Sequence, residues 1–139
     1  MGVRGLPRVA SLATLRCWPY PRSVTASAAH ADAFYREVLE AAAVWTVRDA
    51  SGIPAPENGD GHRAMPFWSR ESRAERVVAT VAAYSGFETQ SVPLAEWRQR
   101  WLPGLIKDGL MVGLNWSGAS ATGYDLHPTE VEANLSARE

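Results

Sequence analysis

The stretch Leu94–Trp116 constrains the fold of this chain more than any other. Leu94, Trp97, Trp101 and Leu105 recur at helical spacing and share one face. Pro103-Gly104 interrupts that helix: an interior proline removes a backbone donor and crowds the carbonyl four residues back, so a kink or a restart is predicted there. Asp108-Gly109 predicts the stop, with Gly109 suited to a left-handed cap. From Leu110 to Trp116 the apolar residues fall on both alternating sets. Leu110, Val112, Leu114 and Trp116 are on one and Met111 and Gly113 on the other. A strand that is apolar on both faces is a central strand with cover on both. Asn115 is its one polar interruption.

The segments before it supply what such a strand has to pack against. Phe34, Val38 and Ala41/Ala42, with Tyr35 and Leu39, predict a helix from Ser27 to about Ala42, with Ser27 as N-cap and Asp32, Glu37 and Glu40 on the wet side. Val44–Asp49 is β-branched and aromatic and predicts a strand. Ser51-Gly52 is a turn. Ile53–Pro56 can form only an edge or irregular strand, because Pro54 and Pro56 lack ladder donors. Glu57–Gly61 turns the chain again, and His62–Trp68 returns as a third strand ending near Pro66. Ser69 is placed to cap a helix whose stripe is Ala74, Val77, Val78 and Val81, with Gly86 at its exit. Phe87–Val92 predicts a short strand, and Pro93 opens the helix described first. After a glycine-containing loop over 118–123, Gly123–Leu126 can add an edge strand, and Pro128 begins a last helix through Val131 and Leu135. The expected fold is α+β: a single small domain over 26–139, a β-meander plus further strands in one sheet, covered by three to four helices.

Charge divides the chain in two. Four of the fourteen basic residues, Arg4, Arg8, Arg16 and Arg22, lie in the first 25 residues, which hold no acid. The other ten face fifteen acids, a balance of −5, which leaves no electrostatic footprint for nucleic acid. Pro7, Pro19 and Pro21 prevent a long helix in residues 1–25, and the apolar run between Arg8 and Arg16 is too short for a secretory signal. An Arg-rich, acid-free leader matches the composition of an organellar transit peptide. It equally suits a disordered leader read from an early start codon, with Val24 as the true first residue, and disorder is the expectation carried forward. The single cysteine, Cys17, excludes an internal disulfide framework and a multi-cysteine zinc site. A reducing cytosol is the expected compartment, with no membrane span.

The residues Phe34-Tyr-Arg-Glu-Val38, Val44-Trp45, Gly52, Met65-Pro-Phe-Trp-Ser69, Ala74, Val92-Pro-Leu94, Trp101-Leu-Pro-Gly-Leu105, Asp108-Gly109 and Val112-Gly-Leu-Asn-Trp116 follow a distinctive order. Over roughly residues 30–136 that order resembles the bacterial family called domain of unknown function 2750. Pro-Phe-Trp-Ser and Gly-Leu-Asn-Trp together carry most of the resemblance. The Pro-rich connection at 53–61 is longer than the family's usual turn. The resemblance implies a small, soluble, cytoplasmic bacterial protein without an assigned activity.

No catalytic or nucleotide motif stands out, and no cofactor is expected. The 118–123 loop lacks the Lys-Ser/Thr of a phosphate loop. His30, His62 and His127 are isolated and form no metal pair at i, i+4. Ser69 has no neighbouring base, so capping explains it better than nucleophilic chemistry. Among the tryptophans, packing accounts for those at helical spacing. The functional expectation is an aromatic groove near Trp68, Trp97 and Trp116, since tryptophan offers large contact area and one donor. Trp68 and Trp116 end strands beside loops and are the better placed to meet a partner. Arg48, Glu96, Arg100 and Asp108 are the polar companions, and Asn115 is expected to satisfy loop backbone groups or, less simply, to touch a ligand. A non-catalytic binding or interaction module for a protein or small molecule follows as the first expectation. The alternatives are a small enzyme using carboxylates such as Glu96 and Asp108, and an immunity-type protein that neutralises a toxin.

Overall fold

The computed structural model of the chain describes residues 9–10, 24–57, 61–118 and 122–139. The leader expected over 1–25 lies outside the described residues except at 9–10 and 24–25, as do the middles of the loops at 57–61 and 118–123. Val9–Ala10 forms a two-residue strand, β1, parallel to Ile53–Pro54, β3.

Helix α1 (Val24–Ala41) begins before Ser27, so Ser27 lies inside the helix rather than capping it. Ala31, Phe34, Tyr35 and Val38 are buried at the i, i+3, i+4, i+7 positions of one face. Glu37, expected on the wet side, is only 8 % exposed. It flanks Val38 at the border of the buried face, and side chains from a later element close over it. The helix stops where Ala42 enters the left-handed region at φ 56°, its N–H still bonded to the Val38 carbonyl.

Strand β2 (Ala43–Arg48) pairs antiparallel with β5 (Glu88–Pro93) over its whole length. β4 (Ala64–Phe67) pairs parallel with β6 (Met111–Ser117), and β6 pairs antiparallel with β7 (Thr122–Leu126). One antiparallel bridge joins the two groups, with Trp45 and Trp68 exchanging N–H to carbonyl bonds of 2.8 and 2.7 Å. The strand order is therefore β5–β2–β4–β6–β7. Pro66, expected near the end of its strand, lies within β4, and the reason is local. Its carbonyl accepts from the Thr46 hydroxyl at 2.9 Å, so its nitrogen faces the same side, toward β2. The missing donor thus falls where β2 and β4 are joined by only the one bridge, and the β4–β6 ladder keeps its bonds.

Helix α2 (Glu71–Thr80) covers one face of this sheet, followed by a 3₁₀ turn at Ala82–Tyr84. Its N-cap is Arg70 and not Ser69, and no side chain caps it. On the opposite face lies the run α3 (Leu94–Glu96), a π-helical stretch Trp97–Trp101 and α4 (Leu102–Lys107). The kink or restart expected at Pro103-Gly104 takes the form of a restart: the π-helical stretch ends at Trp101 and α4 begins at Leu102, with Pro103 in its first turn. The Leu102 N–H bonds to the Trp97 carbonyl, five residues back, and this wider turn just before Pro103 makes room for a ring that a regular α-helix would crowd. Gly109 ends the run at φ 70°, with the Leu110 N–H returning to the Leu105 carbonyl at 2.9 Å. Helix α5 (Pro128–Ala137) is capped by His127, whose Nδ1 accepts from the Thr129 N–H while Glu130 accepts from the His127 N–H.

Among the described residues the buried apolar side chains form two clusters. The larger, between the sheet and α1, α4 and α5, holds Phe34, Phe67, Trp97 and Trp101. Phe67 lies edge-on to both indoles, with ring centres 5.1 and 6.0 Å apart. The smaller, under α2, holds Trp68, Val77, Tyr84, Phe87 and Trp116. Both faces of β6 are covered, as expected of a central strand. No helix among the described residues is long and apolar enough to cross a membrane.

Candidate functional site

Trp116 is not where strand alternation puts it. Regular pleating would send it to the face of Val112 and Leu114. Asn115 instead adopts φ 49°, and the register with β7 slips between Leu114 and Ser117. The extra residue of this bulge inverts the alternation. Trp116 turns to the α2 face and folds back over Gly113. A Cβ at Gly113 would stand 2.3 Å from the indole, and one at Gly123 would stand 2.8 Å from it, so both glycines are the space the ring occupies. The indole N–H donates to Asp125 Oδ1 at 2.8 Å. The Trp116 carbonyl in turn accepts from the Trp68 indole N–H at 2.8 Å.

The same bulge aims the Asn115 side chain at the chain leaving β4. Its Oδ1 accepts from the Ser69 backbone N–H at 2.9 Å, and its Nδ2 donates to Ser69 Oγ at 3.0 Å. Asn115 thus satisfies loop backbone, one of the two roles expected of it. Ser69 Oγ donates to Glu37 Oε1 at 2.5 Å. Arg73 grips Glu37 from α2 through Nε and Nη2, both at 3.1 Å, and Arg70 adds a contact at 3.2 Å. Burial alone would raise the Glu37 carboxyl. The bonds from Arg73, Ser69 and Arg70 outweigh it and hold the group down at about 2. A buried charge is kept ionised here because every side of it is answered.

Next to this network is a cleft of about 320 Å³ between α2 and the end of β6. Its apolar wall is Val77 and Trp116, and its polar rim is Arg73, Arg76, Thr80, Asn115, Ser117 and Gly118. It lies at the carboxyl end of β6 and its parallel neighbour β4, the end at which crevices form beside parallel strands. Arg73 is fixed by Glu37, leaving its Nη1 without a partner among the described residues, and the exposed Arg76 makes no ion pair among them. A second ionic cluster, Arg98 with Glu132 and Glu139, is closed on itself at 2.6 Å contacts. No group of three or more His, Cys, Asp or Glu that could hold a metal occurs among the described residues.

The eight residues singled out from the sequence do not converge. Asn115 and Trp116 line the cleft, and Trp68 supports it from beneath, fully buried. Trp97 is fully buried in the other cluster, across the sheet, and presents no surface. Arg48 stands opposite Glu88 at the end of the β2–β5 ladder. Glu96, Arg100 and Asp108 are exposed on the helical run of the opposite face, and none of these four lines the cleft. Glu37, Arg73 and Arg76 were missed. The signal available for the arginines was spacing, since Arg70, Arg73 and Arg76 recur every third residue and therefore project to one side of α2.

Neither a curated protein nor a solved structure matches the chain. The model of a family described as "Protein of unknown function (DUF2750)" matches residues 31–135. That span takes in every side chain of the cleft and of the Glu37 network, and the chain belongs to this family.

Proposed function

We propose that the protein is a non-catalytic binding module whose ligand sits in the cleft between α2 and the end of β6. The observation that carries this reading is the cleft itself, of about 320 Å³, with an apolar wall of Val77 and Trp116 and a rim of hydrogen-bonding groups. Small-ligand sites combine these two elements, and this volume suits a single ring with one polar head group. The wall is preorganised: Trp116 is wedged over Gly113 and Gly123 and tethered to Asp125, and Arg73 is clamped by Glu37. Preorganisation lowers the entropic cost of binding. The carboxylates Glu96 and Asp108 are absent from the cleft, and Glu37, the acid behind it, is ionised and fully bonded. A proton-transfer role therefore draws no support from them. One cysteine in the chain agrees with work in a reducing bacterial cytosol.

The test is a fragment titration followed by NMR. Resonances of the Val77 methyls, the Trp116 indole N–H and the Ser117 amide are expected to move together and saturably. Ser117→Phe, which fills the cleft from an exposed position, is expected to abolish the response. Fragments that perturb only other surfaces, or that bind the Ser117→Phe protein equally well, would sink the reading.

A further inference from the structure

We infer that the ligand of this cleft is a small oxyanion, a carboxylate or phosphate carried on a flat apolar body, and that Arg76 is the residue that captures it. This rests on the cleft being a binding site and adds the ligand's charge and shape. Three guanidinium groups, Arg70, Arg73 and Arg76, lie on one side of α2, and the acids paired with them are Glu37 and Glu40. Of the three, Arg76 is the one that makes no ion pair among the described residues, and it lines the cleft. Residues 26–139 as a whole are acidic, so two arginines lining one cleft are a local feature and not a spread of general basicity.

The geometry of the donors supports the same class. Arg73 is held in place by two bonds to Glu37, with Nη1 unpaired among the described residues, while Arg76 one turn further along carries a full unpaired fork. A planar fork beside a fixed donor matches an oxyanion, which accepts two bonds in one plane. Ser117 and Gly118 complete the rim from the strand end, and Gly118 adopts φ 84°, turning the backbone away after β6. Beside the cations, Val77 of the same helix and Trp116 at the end of β6 give the cleft the apolar surface against which an apolar ring can lie. An arginine with no ion pair among the described residues and an apolar surface in one cleft select a ligand with both features.

Phenyl phosphate, benzoate, inorganic phosphate and benzyl alcohol separate the possibilities, titrated by calorimetry into the full chain and into Arg76→Gln. Arg76 is exposed and makes no ion pair among the described residues, so the substitution leaves the fold unburdened. Phenyl phosphate or benzoate is expected to bind about tenfold or more tightly than benzyl alcohol and to lose that advantage in Arg76→Gln and at high salt. Which of the two binds tighter identifies the head group, and inorganic phosphate reports the head group without the ring. Equal binding of benzyl alcohol and the two anions, unchanged in Arg76→Gln, would overturn the anion assignment while leaving the cleft as a binding site. Failure of all four probes to bind would remove the binding reading itself.

Discussion

Among the described residues, Ala42 is the one whose chemistry least suits its backbone. It holds φ 56° between α1 and β2, a conformation that brings a Cβ against the following carbonyl and costs roughly 1–2 kcal/mol in a residue other than glycine. Ala42→Gly is expected to raise stability by about 0.5–1 kcal/mol, the relief being partly offset by a freer unfolded chain. Urea denaturation of the two proteins measures it, and a loss of stability would show that the turn carries no strain. Asn115 occupies the same region at φ 49°, where Asn is better tolerated. It also spends its side chain on Ser69, so its conformation and its hydrogen bonds serve one purpose. From the sequence Asn115 was recognisable as a polar interruption. Its left-handed backbone was not, because alternation carries no information about φ.

At the scale of elements, the bulge in β6 decides which face Trp116 serves. The motif Val112-Gly-Leu-Asn-Trp116 contains both halves of the device, a glycine with no side chain and an indole that lies on it, with the bulge falling after Leu114. Gly113→Ala puts a methyl 2.3 Å from the Trp116 ring, and no flexible side-chain end is there to yield. The expected cost is about 3 kcal/mol, with the Trp116 indole N–H resonance displaced as the ring leaves Asp125. A Gly113→Ala protein with unchanged midpoint and unchanged Trp116 resonance would refute the stacking. The π-helical stretch Trp97–Trp101 is a comparable local adjustment. The sequence flagged Pro103 as a disruption, and the helix absorbed it one turn earlier, keeping Trp97, Trp101 and Leu105 on a single buried face.

Across the whole molecule, Glu37 joins the two layers. It projects from α1, which packs on one face of the sheet, and is held by Arg73 of α2, which packs on the other, with Ser69 and Asn115 between them at the strand ends. Its carboxyl is depressed to about 2 from an ordinary value of 4.5. A depressed folded-state value means that its contribution is fully present above the unfolded value and disappears as pH falls through the folded one. Stability is therefore expected to drop by about 3 kcal/mol between pH 5 and pH 2 beyond the loss from other acids, and Glu37→Gln is expected to flatten that part of the profile. Denaturation midpoints of the two proteins across this range check it, and parallel profiles would exclude the linkage. The sequence by itself determined the helical faces, the central strand and the family, because periodicity and turn residues act over a few neighbours. Only the tertiary structure decided that Ser69 and Glu37 meet in the interior and that Trp97 and Trp116 lie on opposite sides of the sheet. Those outcomes depend on a bulge and on contacts between residues more than thirty positions apart, and no local pattern encodes them.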